Sequence, residues 1–406
     1  MKNTSLIINT VLGAQLLVHL GGWFYLKGER EEAAPVAANK QTAIIGKFVV
    51  DEAAVEAERV AAEWAAAEAE RVAIEKAAAE KAAAEKRRVR DAITRAETFL
   101  LTMQQPNGAF YNSKSRYGYA MTSLSLLALA DSGHKPIDLN MKGIAMTRGL
   151  DFVLREDPRL HRSGGYFGVE GSRMYGHGIT TLCLTTMMRI GVHPRQEARL
   201  REVTRQAVGL ILGAQRVRKS TPRHVGGWRY TPTSQDSDLS ISIWQILALV
   251  SAKNAGINIP KESIDLVVRY LKRSYFSPRN ARGMPINMSS GFGYLPGQRP
   301  EYAMTAAGLL GLQICEDELS PESKGSANWL AKKEVNPNRE RWFYFGTYFY
   351  SKAMRGEEKT RQKTQEVLLG LQKDDGSWAG NSGMERGAGR VYSTAMALAS
   401  LNAVKQ

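Results

Sequence analysis

Asp236 and Asp238 are the two carboxylates of this 406-residue chain whose spacing most suggests chemistry. They stand in the segment Asp236-Ser237-Asp238-Leu239, directly before an apolar run with helical period. Two neighbouring carboxylates can titrate as a coupled pair in which one pKa is raised, and such a pair can supply an acid and a base. The sequence therefore makes both residues candidates for catalysis.

His177 is the third catalytic candidate. Gly176 and Gly178 flank it, so the backbone could come close to a ligand. Tyr175 lies two residues earlier, and a histidine beside it could act as a general base. The alternative is a structural histidine that forms hydrogen bonds with a neighbouring helical hairpin.

The elements that position these residues repeat along the chain. The segment from Gln372 to Trp378 joins two helix-period runs through a Gln, a Gly and an aromatic residue. The same pattern recurs from Gln104 to Phe110, at Gln215 with Gly226-Gly227-Trp228, and more loosely at Gly164-Gly165-Tyr166 and Gly291-Phe292-Gly293-Tyr294. A period of roughly fifty residues indicates a repeat architecture.

The repeat predicts six helical hairpins within residues 91–406. The inner helix of each hairpin is predicted to begin near Tyr119, Gly178, Leu239, Tyr302, Phe345 and Tyr392. The predicted fold class is therefore all-α, an (α/α)6 toroid with one ring of helices inside another. The sequence contains no convincing strand pattern.

In such a toroid the inner helices point the same way, so their N-termini meet at one end, the mouth. Converging helix N-termini favour anionic ligands. The ligand-binding candidates placed there are Tyr117, Tyr119, Tyr175, Trp244, Glu301, Tyr302, Tyr344, Tyr348, Arg390 and Tyr392. The alternative for the acids Asp236, Asp238 and Glu301 is a role as helix N-caps.

The first ninety residues differ from the toroid. Ser5 to Leu26 is an apolar run long enough to span a bilayer. We predict a transmembrane anchor at residues 1–27, with a cleaved signal peptide as the alternative, and a flexible tether at 28–50. Residues 51–90 are rich in Ala, Glu, Lys and Arg, which predicts a single charged helical stalk, with a weakly oligomerising coiled coil as the alternative. The expected location is the inner membrane, with a single span and an extracytoplasmic toroid.

The net charge of +15 belongs to the toroid, since the charges of residues 1–90 cancel. A basic body suggests an anionic ligand or an anionic membrane surface. The basic loop after Gln215 belongs to no recognised nucleic-acid module, so nucleic acid is not an expected partner. Cys183 and Cys315 lie in apolar runs and are expected to be core thiols, and no metal or cofactor is expected.

The Gln-Gly-Trp turns make residues 91–406 resemble the terpenoid cyclase and protein prenyltransferase superfamily. The resemblance would place zinc on an Asp in a D-x-C-Y-x-F-W pattern. The segment from Asp238 to Trp244 keeps the Asp and the Trp, but Ser240 replaces the Cys. Ser393 stands where a zinc-binding His is expected, and a lone Asp does not hold zinc.

Squalene and hopene cyclases of this superfamily protonate an alkene with the middle Asp of D-x-D-D. Here Leu239 replaces the last Asp of that pattern. The chain is most similar to membrane-anchored bacterial members, the prenyltransferase and squalene oxidase repeat proteins, in segments such as Met174 to Thr180 and Trp342 to Thr347. That similarity implies a fold and a location without a known reaction.

Three functions remain open. The first is a non-catalytic toroid that binds an isoprenoid, another acidic ligand or a protein partner. The second is a terpenoid cyclase or prenyl-diphosphate enzyme with altered residues, which predicts an apolar central cavity lined with aromatic rings. The third is a carbohydrate-active α/α barrel acting on an acidic glycan, either a lyase using His177 and Tyr175 or a hydrolase using Asp236 or Asp238 with Glu301.

Overall fold

The computed structural model describes residues 40–111 and 117–405, with side chains from residue 52 onward in these ranges. Within them the chain is helical, and the β pairing consists of isolated bridges such as Gln104–Phe110. The prediction of an all-α chain is confirmed for the described residues.

The described residues divide into two compact units, and the first ends at Ala79. It contains the first part of helix α1 (Lys40–Thr102). The side chains of residues 52–79 are exposed, and Arg59 pairs with Glu56 and Glu63, each at 2.6 Å. Such pairs and the many alanines favour a single helix. The helix includes residues 40–50, which the sequence analysis assigns to the tether.

The predicted transmembrane run from Ser5 to Leu26 lies outside the described residues. Among the helices that the structure describes, none has the length and apolar character needed to cross a membrane. The anchor and the inner-membrane location therefore stay predictions.

The second unit begins at Glu80 and contains two concentric rings of helices. The outer and inner helices alternate as α1 then α2 (Gly118–Asp131), α3 (Met141–Leu154) then α5 (Arg173–Ile190), α6 (Pro194–Arg216) then α7 (Leu239–Asn254), α8 (Lys261–Ser274) then α9 (Tyr302–Ile314), α10 (Pro321–Leu330) then α11 (Phe343–Ala353), and α12 (Glu358–Leu371) then α14 (Arg390–Ala403). Two short helices, α4 (Pro158–Arg162) and α13 (Gly383–Ala388), precede α5 and α14. Each inner helix packs on the next, and α14 packs on α2. The inner ring is therefore closed, as the toroid prediction requires.

In three of the repeated turns, the glutamine ties its hairpin to the next one. Gln372 Nε2 donates to the carbonyl of Gly376 in its own turn at 3.0 Å and to that of Ala92 in α1 at 2.8 Å. The last hairpin is thereby joined to the first. The same pairs of bonds run from Gln104 to Gly108 and Ala145, and from Gln215 to Gly226 and Ser263.

The glycine and the aromatic residue of the turn also serve the scaffold. Gly376 has a φ of +83°, and a Cβ there would lie 2.4 Å from the carbonyl oxygen of Arg95, so a larger residue does not fit. The buried Trp378 donates its backbone N–H to Thr394 Oγ1 at 3.1 Å and its Nε1–H to the carbonyl of Leu368 at 2.8 Å. The indole therefore joins the inner helix to the outer helix.

Aromatic side chains fill the middle of the inner ring. Trp244 on α7 contacts Phe345, Tyr348 and Phe349 on α11, with ring centroids 6.2, 5.6 and 5.3 Å away. Helix α9 lies between α7 and α11 in the ring, so these contacts reach across the lumen. Further along α7, Leu247 lines a cavity of about 870 Å³ at the far end of the barrel, where the inner helices end.

Candidate functional site

Asp238 lies at the N-terminus of α7 and is fully buried. Its Oδ1 accepts hydrogen bonds from the backbone N–H of Ile241 at 2.9 Å and from Ser240 Oγ at 2.6 Å. This oxygen therefore acts as the helix N-cap. The other oxygen, Oδ2, accepts no hydrogen bond and lies 3.4 Å from Arg229 Nε. The capping role thus explains the position of Oδ1 but not that of Oδ2.

Arg229 links the two aspartates. Its Nη1 lies 3.1 Å from Asp236 Oδ2, while its Nε faces Asp238. The side chain of Asp236 is 45% exposed, whereas that of Asp238 is 0% exposed. Burial raises the pKa of Asp238. The hydrogen bonds from Ser240 and Ile241 and the charge of Arg229 lower that pKa and offset part of the effect of burial. The two carboxylates therefore share a cation in different surroundings.

Tyrosine rings surround these charges. The hydroxyls of Tyr230 and Tyr294 are hydrogen-bonded at 2.5 Å, and the Arg229 guanidinium lies 5.0 and 5.6 Å from their ring centroids. The hydroxyl of Tyr175 is hydrogen-bonded to Ser240, and its ring centroid lies 6.4 Å from that of Tyr230. Burial and the charge of Asp238 raise the pKa of Tyr175. We call this group the Arg229 cluster; it consists of Tyr175, Arg229, Tyr230, Asp236, Asp238, Ser240 and Tyr294.

The repeated turns set the position of the cluster. Arg229 and Tyr230 directly follow the turn residue Trp228, and Tyr294 stands two residues after its counterpart Phe292. The carbonyl of Tyr230 accepts from Met174 N–H at 3.1 Å, and that of Tyr294 accepts from Leu239 N–H at 3.0 Å. Both loops are thereby tied to the starts of α5 and α7.

Sequence reasoning missed Arg229, Tyr230 and Tyr294 as site residues. Their position in the sequence, one or two residues after the aromatic residue of a repeated turn, could have identified them. In the described part of the chain, no group of His, Cys, Asp and Glu could hold a metal ion.

His177 lies one turn inside α5, because that helix begins at Arg173 and not at the predicted Gly178. The residue is fully buried. Its Nδ1 accepts the backbone N–H of Phe167 at 3.3 Å, so Nε2 carries the proton and donates to the carbonyl of Ala207 at 3.1 Å. Burial lowers the pKa of His177 to about 4.

The other hairpins explain this position. In four other hairpins, the backbone N–H of the aromatic residue in the turn donates to a hydroxyl group of the inner helix. These hydroxyls belong to Thr122, Ser242, Thr305 and Thr394. His177 takes the same place in the second hairpin, where the aromatic residue bonded to it is Phe167 and not the predicted Tyr166, and both of its ring nitrogens form hydrogen bonds. The geometry therefore matches the structural alternative for His177.

Several predicted ligand residues lie within the scaffold. Tyr119 donates its hydroxyl to Asp157 Oδ2 at 2.9 Å. Tyr302 packs on Tyr350 at 5.3 Å between ring centroids. Arg390 Nε donates to Ser377 Oγ at 2.9 Å in the turn of its own hairpin. Trp244 and Tyr348 stack on each other in the lumen, as described above.

The remaining predicted residues lie at other helix starts. Tyr117 directly precedes α2 and is 39% exposed. Glu301 is exposed before α9, and its side chain makes no capping bond. Tyr344 is buried at the start of α11, and Tyr392 is partly buried in the first turn of α14. Of the predicted set, the structure thus joins Tyr175, Asp236 and Asp238 in the Arg229 cluster.

The partly buried Glu170 and the fully buried Glu385 cap inner helices that precede them in the chain. The carboxylate of Glu170 accepts the backbone N–H groups of Tyr119 at 2.8 Å and Ala120 at 3.1 Å. Glu385 accepts the N–H of Tyr344 at 2.8 Å. Burial raises the pKa of each glutamate to about 7, against these hydrogen bonds. These caps are not visible in the sequence, because they lie about forty or more residues from the helices they cap.

Two solved structures share this fold. They are inactive variants of the alpha-1,6-mannanase GH76A of Salegentibacter sp. HEL1_6, one in complex with alpha-1,6-mannotriose and one with alpha-1,6-mannotetrose. Each has a TM-score of 0.54 and 10% sequence identity, and the match covers 78% of this chain and 98% of the mannanase chain. At this identity the likeness shows the α/α barrel fold alone. No protein-family model matches the chain, and no curated protein matches it.

The resemblance to terpenoid cyclases, protein prenyltransferases and their membrane-anchored repeat relatives is therefore wrong. The two matching solved structures are variants of a mannanase, a glycoside hydrolase. The physical reason lies in the motif that carried the resemblance. Gln372, Gly376 and Trp378 make their bonds within the scaffold, so the motif specifies hairpins that close into a ring and not cyclase or prenyltransferase chemistry.

Proposed function

We propose that this protein is a carbohydrate-active α/α barrel that binds a saccharide at the Arg229 cluster. The observation that carries the proposal is a guanidinium placed between two tyrosine rings and two aspartates at the mouth. Aromatic faces pack against the C–H faces of a sugar, while a few charged groups select its hydroxyls. The fold shared with the mannanase variants bound to mannotriose and mannotetrose supports this proposal.

The net charge of +15 favours an acidic glycan over a neutral one. The cluster itself has one arginine and two aspartates, so it offers donors and acceptors to a sugar of either kind. Asp236 and the exposed part of the Arg229 side chain are the charged groups that a saccharide would reach first, since these side chains are 45% and 19% exposed.

Glycoside hydrolysis is the second candidate, and the unequal aspartate pair favours it. Asp238, buried and with a raised pKa, would serve as the acid, and the exposed Asp236 as the base. The inactive mannanase variants carry replacements of two consecutive aspartates. The only Asp-Asp dipeptide here is Asp374-Asp375, and Asp375 Oδ1 accepts from Ser377 Oγ at 2.8 Å in a turn. Hydrolysis by this chain would therefore depend on Asp236 and Asp238.

The test is binding of the full chain to an array of neutral and acidic oligosaccharides. The site variant is the double substitution Arg229→Met with Asp238→Asn, which removes the cation and the buried charge together. The matched control is Arg390→Met with Asp375→Asn, because these residues form an ion pair at the mouth outside the cluster.

We expect the site variant to lose tenfold or more in affinity, equivalent to about 1.4 kcal/mol, and the control to bind like the wild type. Absence of binding by the wild type, or equal loss in both variants, would refute the proposal. Incubation of the bound sugars with wild-type protein and with Asp236→Asn then tests hydrolysis through the appearance of shorter oligosaccharides.

A further inference from the structure

Four large apolar side chains are exposed together at the far end of the barrel. Ile137 and Leu139 lie in the loop between α2 and α3, and Met141 and Ile144 lie in the first turn of α3. Their exposed fractions are 49%, 100%, 75% and 51%. We call these four residues the apolar tip. Contiguous exposed apolar residues of this kind mark an interaction site more often than isolated ones do.

Hydrogen bonds hold the apolar tip in this position. Asp138 Oδ2 accepts the backbone N–H of Lys135 at 2.8 Å, and Asn140 Oδ1 accepts those of Lys142 and Gly143, each at 3.0 Å. Thr147 Oγ1 donates to the carbonyl of Pro136 at 2.7 Å. The loop is therefore ordered with its apolar side chains directed into solvent, which is unfavourable unless a partner covers them.

A basic groove of about 570 Å³ lies beside the apolar tip, and Lys142 in the first turn of α3 lines it. The cationic side chains that line the groove are Lys86, Arg90, Lys142, Arg361 and Lys405, together with His134. Among the described residues, Lys86 and Arg90 form no ion pair. Of the two acids that line it, Glu97 is buried and already bonded to His134 at 3.0 Å and to Lys142. The groove is therefore left with an excess of positive charge.

We propose that the far end of the barrel docks on an anionic lipid bilayer. The apolar tip enters the interface between headgroups and acyl chains, and the cations of the basic groove contact headgroup phosphates. A protruding apolar loop beside a cluster of Lys and Arg is the combination that binds such surfaces, since apolar burial and charge attraction add to each other. The inference uses the end of the barrel opposite the Arg229 cluster, so it does not depend on the proposed saccharide.

The test places an environment-sensitive fluorophore on the apolar tip of the full chain. Leu139→Cys is labelled in a Cys315→Ser background, because the other cysteine, Cys183, is buried. The control label is at Ile286→Cys, which is 61% exposed in the loop before α9, at the mouth. Vesicles of phosphatidylcholine are compared with vesicles that also contain phosphatidylglycerol.

We expect a blue shift of the label at position 139 with the anionic vesicles only, and none at position 286. Adding Lys86→Gln and Arg90→Gln should lower the ratio of docked to undocked label about 25-fold, at about a factor of five per cation. The proposal is overturned by an unchanged label at position 139 or by equal shifts at both positions. A shift without vesicles that grows with protein concentration would also overturn it, because a second copy of the chain would then cover the apolar tip.

Discussion

His177 and Asp238 are both fully buried near the starts of neighbouring inner helices, yet their surroundings differ. The two ring nitrogens of His177 are both satisfied by backbone groups of adjacent elements. Asp238 has one oxygen satisfied by its own helix and one that faces Arg229 without a hydrogen bond. Scaffold residues such as Gln215 and Glu385 also have a buried oxygen without a hydrogen bond. The Arg229 guanidinium that faces Asp238 Oδ2 at 3.4 Å, and not burial itself, therefore distinguishes the site from the scaffold.

The largest effect is expected when Arg229 is removed and the charge of Asp238 remains. Arg229→Met leaves a buried carboxylate without its cation, which should lower the free energy of unfolding by about 3 kcal/mol or more. Adding Asp238→Asn should restore most of this loss. Chemical denaturation of the single and double variants measures both changes in unfolding free energy. If the effects of the two substitutions simply add in the double variant, the pairing of Arg229 with Asp238 is contradicted.

His177→Ala should reduce stability by about 2–4 kcal/mol, because it removes a buried ring and leaves the N–H of Phe167 and the carbonyl of Ala207 without partners. His177→Thr, which restores the hydroxyl found in the other hairpins, should cost less. Saccharide affinity should stay within threefold of the wild type in both variants, measured at a temperature where they are folded. A loss of affinity without a loss of stability would instead place His177 in the site.

The pH dependence of the unfolding free energy should show that His177 is a buried, neutral imidazole. The pKa of His177 falls from an ordinary value of 6.5 to about 4 in the folded state, so between these values only the unfolded chain takes up the proton. The stabilisation that the neutral imidazole of His177 gives the folded state is complete above pH 6.5 and is lost as the pH falls towards 4. The loss in unfolding free energy is up to about 3 kcal/mol.

Glu170 and Glu385 act with the opposite sign, because their raised pKa values near 7 make the folded state the better proton acceptor between about pH 4.5 and 7. The measurement is therefore the difference in unfolding free energy between wild type and His177→Thr across this range. A difference that does not change with pH would contradict the buried neutral imidazole.

The smallest effect is expected for a single hydroxyl of the Arg229 cluster. Tyr230→Phe removes the 2.5 Å hydrogen bond to Tyr294 and should weaken saccharide binding by about two- to tenfold. Tyr119→Phe is the matched control, because its hydroxyl bonds to Asp157 away from the cluster. Titration calorimetry of the two variants should separate them, and equal affinities would remove Tyr230 from the site.

The fold was predictable from the sequence because its determinants are local. The spacing from Gln372 to Gly376 and Trp378 describes one turn with all the residues it needs, and five copies of that turn mark five of the six hairpins. The same locality misled the assignment of the family, since a turn that builds a ring is compatible with many reactions.

The site was only partly predictable. Asp236 and Asp238 are visible as a pair in sequence, and Tyr175 is visible beside a helix start. The contact of Arg229 with Tyr294 joins loops of two different hairpins, and the cap from Glu170 to Tyr119 joins residues about fifty positions apart. No local spacing encodes such contacts, because they depend on how the closed ring brings loops together.

The most direct test of the saccharide site is a crystal structure of the protein with the oligosaccharide that binds best on the array. We predict that a sugar ring lies against Tyr230 and Tyr294, with its hydroxyls within hydrogen-bond distance of Arg229 and Asp236. Sugar bound only at another place, such as the 870 Å³ cavity at the far end of the barrel, would contradict the assignment of the Arg229 cluster.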